Sequence, residues 1–289
     1  MKLKLKIILK NAASQLQESG NISPRLDAEV IMAFLLQKDR SYLFMYPEKE
    51  ILPSVYEAYL SLIEARKNGV PVPYIVNNQE FMNLDFFVNE SVLIPRPDTE
   101  ILVESVIKTL RGKKTNTRIL DLGCGSGAIS ISLAFYIPFT EISGVDICDK
   151  AIRVSQKNAL RHGVSARVSF HLGDLFEPVK EKKYHVIVSN PPYIPSKDIN
   201  TLQIEVSKYE PRNALDGGSD GLVFYRRIIS DAPKYIEDGG NLFLEIGHDQ
   251  ASAICALLTK REAYSDVEVI KDLAGRDRVV KARVRGAEG

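Results

Sequence analysis

The sequence has no excess of charge of either sign: 38 Lys and Arg stand against 37 Asp and Glu, for a formal charge of +1. No global positive field recruits nucleic acid, and any basic patch would have to be local. Cysteine is scarce. Cys124, Cys148 and Cys255 are odd in number and far apart, with no CxxC pair and no His cluster nearby, which argues for a reducing compartment and against structural zinc. Long apolar runs are also missing. The longest mainly apolar stretch, ISISLAFYIPF at 129–139, falls short of the roughly 20 residues of a membrane span. The Lys-studded start, MKLKLKIILKNAASQLQ, has no sustained apolar segment of the signal-peptide kind. These absences predict a cytoplasmic protein with no membrane partner. What remains is an ordinary soluble composition, 45% hydrophobic and 26% charged over 289 residues, enough for about two domains.

Residues 1–72 read as a small helical bundle. In NISPRLDAEVIMAFLLQ, Ser23 is placed as N-cap and Pro24 at the first helical position, with Leu26, Val30, Phe34 and Leu35 near a 3.6-residue period. PSVYEAYLSLIEARKNG repeats the pattern, opened by Pro53 and Ser54 and closed by Asn68-Gly69. Residues 73–91 carry Pro73, an Asn77-Asn78 turn and β-prone flanks, and predict a β-hairpin linker. From 92 to 289, short apolar runs (RILDLG, EISGVD, VSFHLG, YHVIVSN, NLFLEIG) alternate with helical stretches such as AIRVSQKNALRHG. That alternation predicts an α/β domain with a mostly parallel sheet covered on both faces, ending in an antiparallel pair over VEVIKDLAGRDRVVKARV. KEKK at 180–183 is read as an exposed loop and the tail GAEG as disordered.

ILDLGCGSGAIS places Gly123, Gly125 and Gly127, interleaved with Cys124 and Ser126, at the strand-to-helix turn after the first core strand. Glycine lets the backbone approach a ligand, and the following helix offers free N–H groups. The spacing is GxGxG, not the GxGxxG of dinucleotide sites. Asp121 lies two residues before the turn, where a carboxylate repels a pyrophosphate but attracts an ammonium. S-adenosylmethionine (SAM) has an ammonium, a sulfonium and no phosphate, so the acid favours SAM over NAD. Asp146, ending the next strand, is placed to accept from a ribose diol, and Asp174, after the third, to meet the adenine amino group. Three acids at the carboxyl ends of successive strands carry the SAM assignment.

VIVSNPPYIP, at 186–195, ends a buried strand on Asn190-Pro191-Pro192-Tyr193. The Asn190 side-chain oxygen and the Pro191 carbonyl both accept hydrogen bonds, the prolines fix the backbone without adding donors, and Tyr193 offers a flat face. Such a site grips an NH₂ on a planar sp² group and aims its nitrogen at the methyl of SAM, without a strong base.

NPPY in this setting is shared by methyltransferases of adenine, guanine and glutamine, so it fixes reaction type better than substrate. FMNLDFFVNESVLIPRPDTEILVE, YEPRNALDGGSDGLVFYRRII and DLAGRDRVV, with PRLDAE in the N-terminal part, resemble the peptide-chain release factor glutamine methyltransferases, the PrmC/HemK family, over nearly the whole chain. The resemblance implies a class I SAM-dependent fold with a seven-stranded, Rossmann-like sheet. It implies methylation of the glutamine amide in the Gly-Gly-Gln motif of class I release factors. By position it makes Gly123 to Gly127, Asp146 and Leu175 SAM contacts, with Leu175 as an apolar lid where some relatives carry an aromatic. Asn190 to Tyr193 become the substrate-amide clamp. A monomer acting on a protein without direct need of nucleic acid is expected, with the N-terminal bundle as a partner-recognition module. The competing reading is methylation of a nucleic-acid base amine, against which stand the neutral charge and the lack of a basic insertion able to flip a base. In IPRPDTE, helix capping by Pro97-Asp98-Thr99 is favoured over cleft shaping by Arg96 and Asp98. Glu245 is left between pocket lining and a solvated strand end, and His162, His171, His185 and His248 share no ligand spacing.

Overall fold

Proline and glycine cut the first eighty residues into helices. A computed structural model of the chain describes residues 4–112, 115–180 and 182–286. It shows α1 (Leu5–Glu18), α2 (Pro24–Leu36), α3 (Arg40–Met45), α4 (Pro53–Lys67) and α5 (Val72–Val76). Pro24 and Pro53 sit in first turns, where the missing N–H has no intrahelical partner to lose. Leu5, Leu16, Ile31, Met32, Tyr59 and Ile63 form the core of this unit, whose chain runs to Asn78 and is joined by Gln203–Tyr209.

The expected apolar stripe of α2 is corrected. Leu26 and Phe34 are 43% and 44% exposed, while α2 buries Ala28, Ile31 and Met32 together with Asp27 and Glu29. Ion pairs turn the helix that way. Arg66 Nε donates to Asp27 at 2.7 Å and its Nη2 to Glu205 at 3.0 Å. Glu29 takes Arg25 at 2.9 Å and Arg40 at 2.6 Å. Burial pushes the Glu29 carboxyl up, but Arg40 and Arg25 together outweigh it and hold it below its usual range.

The linker expectation also changes. Pro71 and Pro73 open the short helix α5, and Asn77 is its left-handed C-cap, so the bundle extends past residue 72. The hairpin is β1 (Gln79–Phe81) and β2 (Leu84–Phe86). Its turn is Met82-Asn83, with φ of 51° and 56°, the two positive values of a type I′ loop, and not Asn77-Asn78. GAEG and KEKK fall partly outside the described residues.

The second unit comprises Gln79–Leu202 and the chain from Glu210. After α6 (Pro97–Leu110) come β3 (Thr117–Leu122), α7 (Ala128–Tyr136), β4 (Thr140–Asp146), α8 (Asp149–Arg161), β5 (Val168–Leu172) and β6 (Tyr184–Ser189). After α9 (Ile204–Tyr209), which belongs to the first unit, follow α10 (Val223–Asp231), β7 (Ile236–Glu245), α11 (Ala251–Thr259), β8 (Tyr264–Lys271) and β9 (Asp277–Val284). The sheet order is β5-β4-β3-β6-β7-β9-β8, with β9 antiparallel to both neighbours. The chain winds outward from β3 to β5, then returns to build from β6 the other way. A crevice opens at that reversal, beyond the carboxyl ends of β3 and β6. Apolar strands such as Ile119, Leu120 and Leu122 are buried on both faces, as a parallel sheet requires. Among the described residues no helix is long and apolar enough to cross a membrane.

Candidate active site

At the reversal lies a cavity of about 400 Å³, walled by the ends of β3, β4, β5 and β6 and by the loops before α6 and α10. Gly123 and Gly125 line it with φ of +74° and +54°, and a Cβ on either would project into open space. A side chain there would be strained and would occupy the room a ligand needs. Cys124, Ser126 and Gly127, expected as cofactor contacts, lie off this wall; Cys124 and Ser126 are buried, and Gly127 is the left-handed N-cap of α7.

The three acids differ. Asp146 lines the cavity and is held by the turn itself: Gly125 N donates to Oδ2 at 2.8 Å and Cys148 N to Oδ1 at 2.9 Å. Each oxygen keeps a lone pair for a diol hydroxyl. Asp174 lines the cavity too, but it pairs with Arg227 at 2.6 Å. Asp121 corrects the expectation. Its carboxylate is fully buried under the turn and takes the Ser130 hydroxyl at 2.6 Å and the Ser130 N–H at 3.2 Å. It therefore supports the glycine turn from below and is not part of the wall. Burial raises its pKa to about 7, against the Ser130 bonds, and Oδ1 has no hydrogen-bond partner. Leu175 is in the wall, in left-handed conformation at φ 51°.

Asn190, Pro191 and Pro192 line the same cavity, while Tyr193 packs behind them against the sheet core. Burial lifts the Tyr193 hydroxyl to about 12. The clamp backbone is fixed from outside. Gln250 Nε2 donates to the Tyr193 carbonyl at 3.0 Å and to that of Gly221 at 3.3 Å. Ile194 N donates to Leu215 O at 3.0 Å, and Gly217 N to Ile194 O at 2.8 Å. A Cβ on Gly217 would stand 2.8 Å from both the Pro192 oxygen and the Tyr193 Cα, so the DGGSDG loop is glycine-rich because the clamp's backbone lies against it. Asn190 Nδ2 donates to Thr99 Oγ1 at 3.2 Å. With Nδ2 turned inward, Oδ1 is left for the cavity.

The segment IPRPDTE is also corrected. Arg96 is the N-cap of α6 without a side-chain cap bond; it pairs with buried Glu210, Asp98 pairs with Arg278 at 2.8 Å, and Thr99 takes Asn190. Tertiary contacts, not capping, use these groups. Glu245 is not a solvated strand end, being 1% exposed. Sequence reading missed Ser91, Leu93, Asn213, Phe224 and Arg227 as wall residues. Only the last two carry a signal, an aromatic-cation pair one turn apart.

Comparisons with known proteins identify the chain's relatives. The PrmC N-terminal domain family matches residues 8–76 and the methyltransferase small domain family residues 97–208. The release factor glutamine methyltransferase of Clostridium botulinum is 42% identical over 281 residues, 96% of this chain and 99% of that protein. That of Geobacter sulfurreducens is 43% identical over 269 residues, 93% of each. Among solved structures, a methyltransferase from Pyrococcus furiosus is 20% identical, with a TM-score of 0.51 over 70% of this chain and 89% of its own, a likeness of fold.

Proposed function

The chain belongs to the release factor glutamine methyltransferase family, and on that premise we propose that it methylates the glutamine amide nitrogen in the Gly-Gly-Gln motif of class I release factors. It is a SAM-dependent protein-glutamine N-methyltransferase. The residues fit that cofactor: two open glycines and a backbone-held Asp146 border a cavity of about 400 Å³ that reaches Asn190. When bound, SAM supplies a methyl group made electrophilic by its sulfonium.

The protein's part is alignment. Gly123 and Gly125 let the cofactor lie against the backbone, Asp146 accepts from its diol, and Leu175 closes one side. Asn190 Oδ1 and the Pro191 carbonyl accept the two hydrogens of the glutamine NH₂, which holds the amide plane and returns electron density to nitrogen. The two rings of Pro191 and Pro192 and the Gln250 bonds keep those acceptors from relaxing, so little reorganisation is needed during the reaction. The observation that carries this reading is the inward turn of Asn190 Nδ2 onto Thr99, which leaves an acceptor facing the cavity. We read the enzyme as a monomer acting on the free protein, with no nucleic acid in the site.

Radiolabelled SAM, this chain and a purified release factor test the proposal. Label is expected on the Gly-Gly-Gln loop and is abolished by replacing that glutamine with alanine. Label confined to added RNA or DNA would overturn it. Asn190→Ala should hold SAM affinity within about tenfold while turnover drops on the order of 100-fold or more. A loss of SAM affinity matching the loss of turnover would remove Asn190 from the amide clamp.

A further inference from the structure

The parallel register that pairs Ser189 with Leu244 brings the next residues, Asn190 and Glu245, side by side at the carboxyl edge. Glu245 interrupts an otherwise apolar run, and its side chain has almost no contact with water. It lies against the Thr99 hydroxyl and the Asn190 amide, whose hydrogens favour its charged form. Its Oε2 has no hydrogen-bond partner among the described residues. An acid in such a place is destabilising unless something needs it.

One bond direction frames the need. Thr99 Oγ1 accepts from Asn190 Nδ2 at 3.2 Å, which leaves the Thr99 hydrogen for a different acceptor, and that hydroxyl favours the charged form of Glu245. With its carboxylate charged, Glu245 would take that hydrogen and complete a chain from Asn190 N–H through Thr99 O–H. A protonated Glu245 would donate into Thr99 and reverse the chain. Thr99 would then donate to Asn190 Oδ1, and the amide would turn its NH₂, a donor, towards a substrate that also offers only donors. We propose that Glu245, acting through the Thr99 hydroxyl, is the positioning residue that decides which end of the Asn190 amide meets the substrate, so that the clamp accepts only when this carboxylate is ionised. The inference rests on the amide-methylation reading above and deepens it.

The groups facing Glu245 set where it titrates. Arg278 of β9 favours the charged form, while Asp98 of α6 opposes it. Arg278 is divided between Asp98 at 2.8 Å and Asp272 at 3.4 Å. Tyr193, and Tyr225 of α10, whose hydroxyl bonds the Glu245 backbone carbonyl at 2.8 Å, wall the other side. Burial dominates all of these and raises the carboxyl to about 7. Methyl transfer to the amide should therefore weaken as the pH drops below neutrality.

The test is the rate of release factor labelling by the full-length chain across roughly pH 6 to 9, with SAM affinity measured by calorimetry alongside. Wild-type kcat should fall about tenfold per pH unit below its acid limb. Glu245→Gln, which cannot ionise, should lose that limb while holding SAM affinity within about threefold. Thr99→Val should lower kcat by about tenfold or more at unchanged SAM affinity, and Thr99→Ser should restore it. An unaltered acid limb in Glu245→Gln, or wild-type kcat in Thr99→Val, overturns the inference even if methylation itself stands. Should glutamine at 245 prevent folding, the Thr99 pair decides alone. A wild-type chain that leaves the release factor unlabelled refutes the methylation reading, and the inference falls with it.

Discussion

Buried acids are held in opposite ways in the helical unit and beneath the cofactor edge of the sheet. In the helical unit, Asp27 meets Arg66 at 2.7 Å and Glu29 meets Arg25 and Arg40 at 2.9 and 2.6 Å. At the edge of the sheet, Asp121 and Glu245 are buried, and among the described residues neither has a basic group within ion-pair reach and each leaves one oxygen without a hydrogen-bond partner. A paired buried charge locks an arrangement; breaking it leaves an uncompensated ion. An unpaired one opposes stability and persists where geometry or chemistry needs it. The helical unit is built to hold its shape, while the sheet edge gives up stability beneath the glycine turn and behind the clamp.

The largest effect should come from breaking the paired side. Arg66→Met strands both Asp27 and Glu205, and a loss of about 3–5 kcal/mol is expected for the helical unit. Amide hydrogen exchange in α2 and α4 of the full chain reads it locally, with β3 and β6 amides as the internal reference. A loss under about 1 kcal/mol would mean that the pairs merely break even with water and that the contrast has been overdrawn.

The pH response sharpens the same contrast. Folding raises Glu245 from 4.5, and Asp121 from 3.8, to about 7, chiefly by burial. The folded sheet thus binds those protons more tightly than the unfolded chain. Their contribution is fully present below the unfolded values and is lost as the pH rises through about 7. Glu29 is lowered, so its contribution is present above 4.5 and is lost as the pH falls through its folded value. Acidification from about pH 8 towards 5 should therefore raise protection in β3 and β7, by up to about 1.4 kcal/mol per pH unit for each titrating acid. Protection in α2 should hold over that range and decline only below about 4.5. Parallel slopes in the two units would defeat the comparison.

Much of the sheet can be read directly from its residues. RILDLG, EISGVD and VSFHLG coincide with β3, β4 and β5 to within one residue at each end, because short β-prone runs bounded by polar or glycine residues read as strands. Asn190 was legible for the same reason: two prolines must end a strand there. The face of α2 was not, since Leu26, Val30 and Phe34 satisfy the helical period as well as Ile31 and Met32 do. The partners of Asp27 and Glu29 select the second set, among them Arg66, thirty-nine residues from Asp27. Nothing local reports that Glu205 belongs beside Arg66, or that Glu245 stands next to Asn190. Both depend on register and on chain returning from far away.

The smallest expected effect lies at the cavity rim, where Asp174 is the third acid of the cofactor edge and, unlike the other two, has an ion partner. Its pair with Arg227 at 2.6 Å is 39% and 45% exposed, so water and salt screen it and its net worth is under about 1 kcal/mol. Arg227→Ala should leave stability within about 0.5 kcal/mol. It should also change SAM affinity by less than about threefold, with the difference between wild type and variant shrinking as salt is added. If Asp174 serves the adenine amino group, removing Arg227 frees its oxygens and binding tightens slightly. If affinity instead falls tenfold or more, the arginine itself is a cofactor contact, and the rim belongs with the paired acids of the helical unit, where the partner base carries the structure.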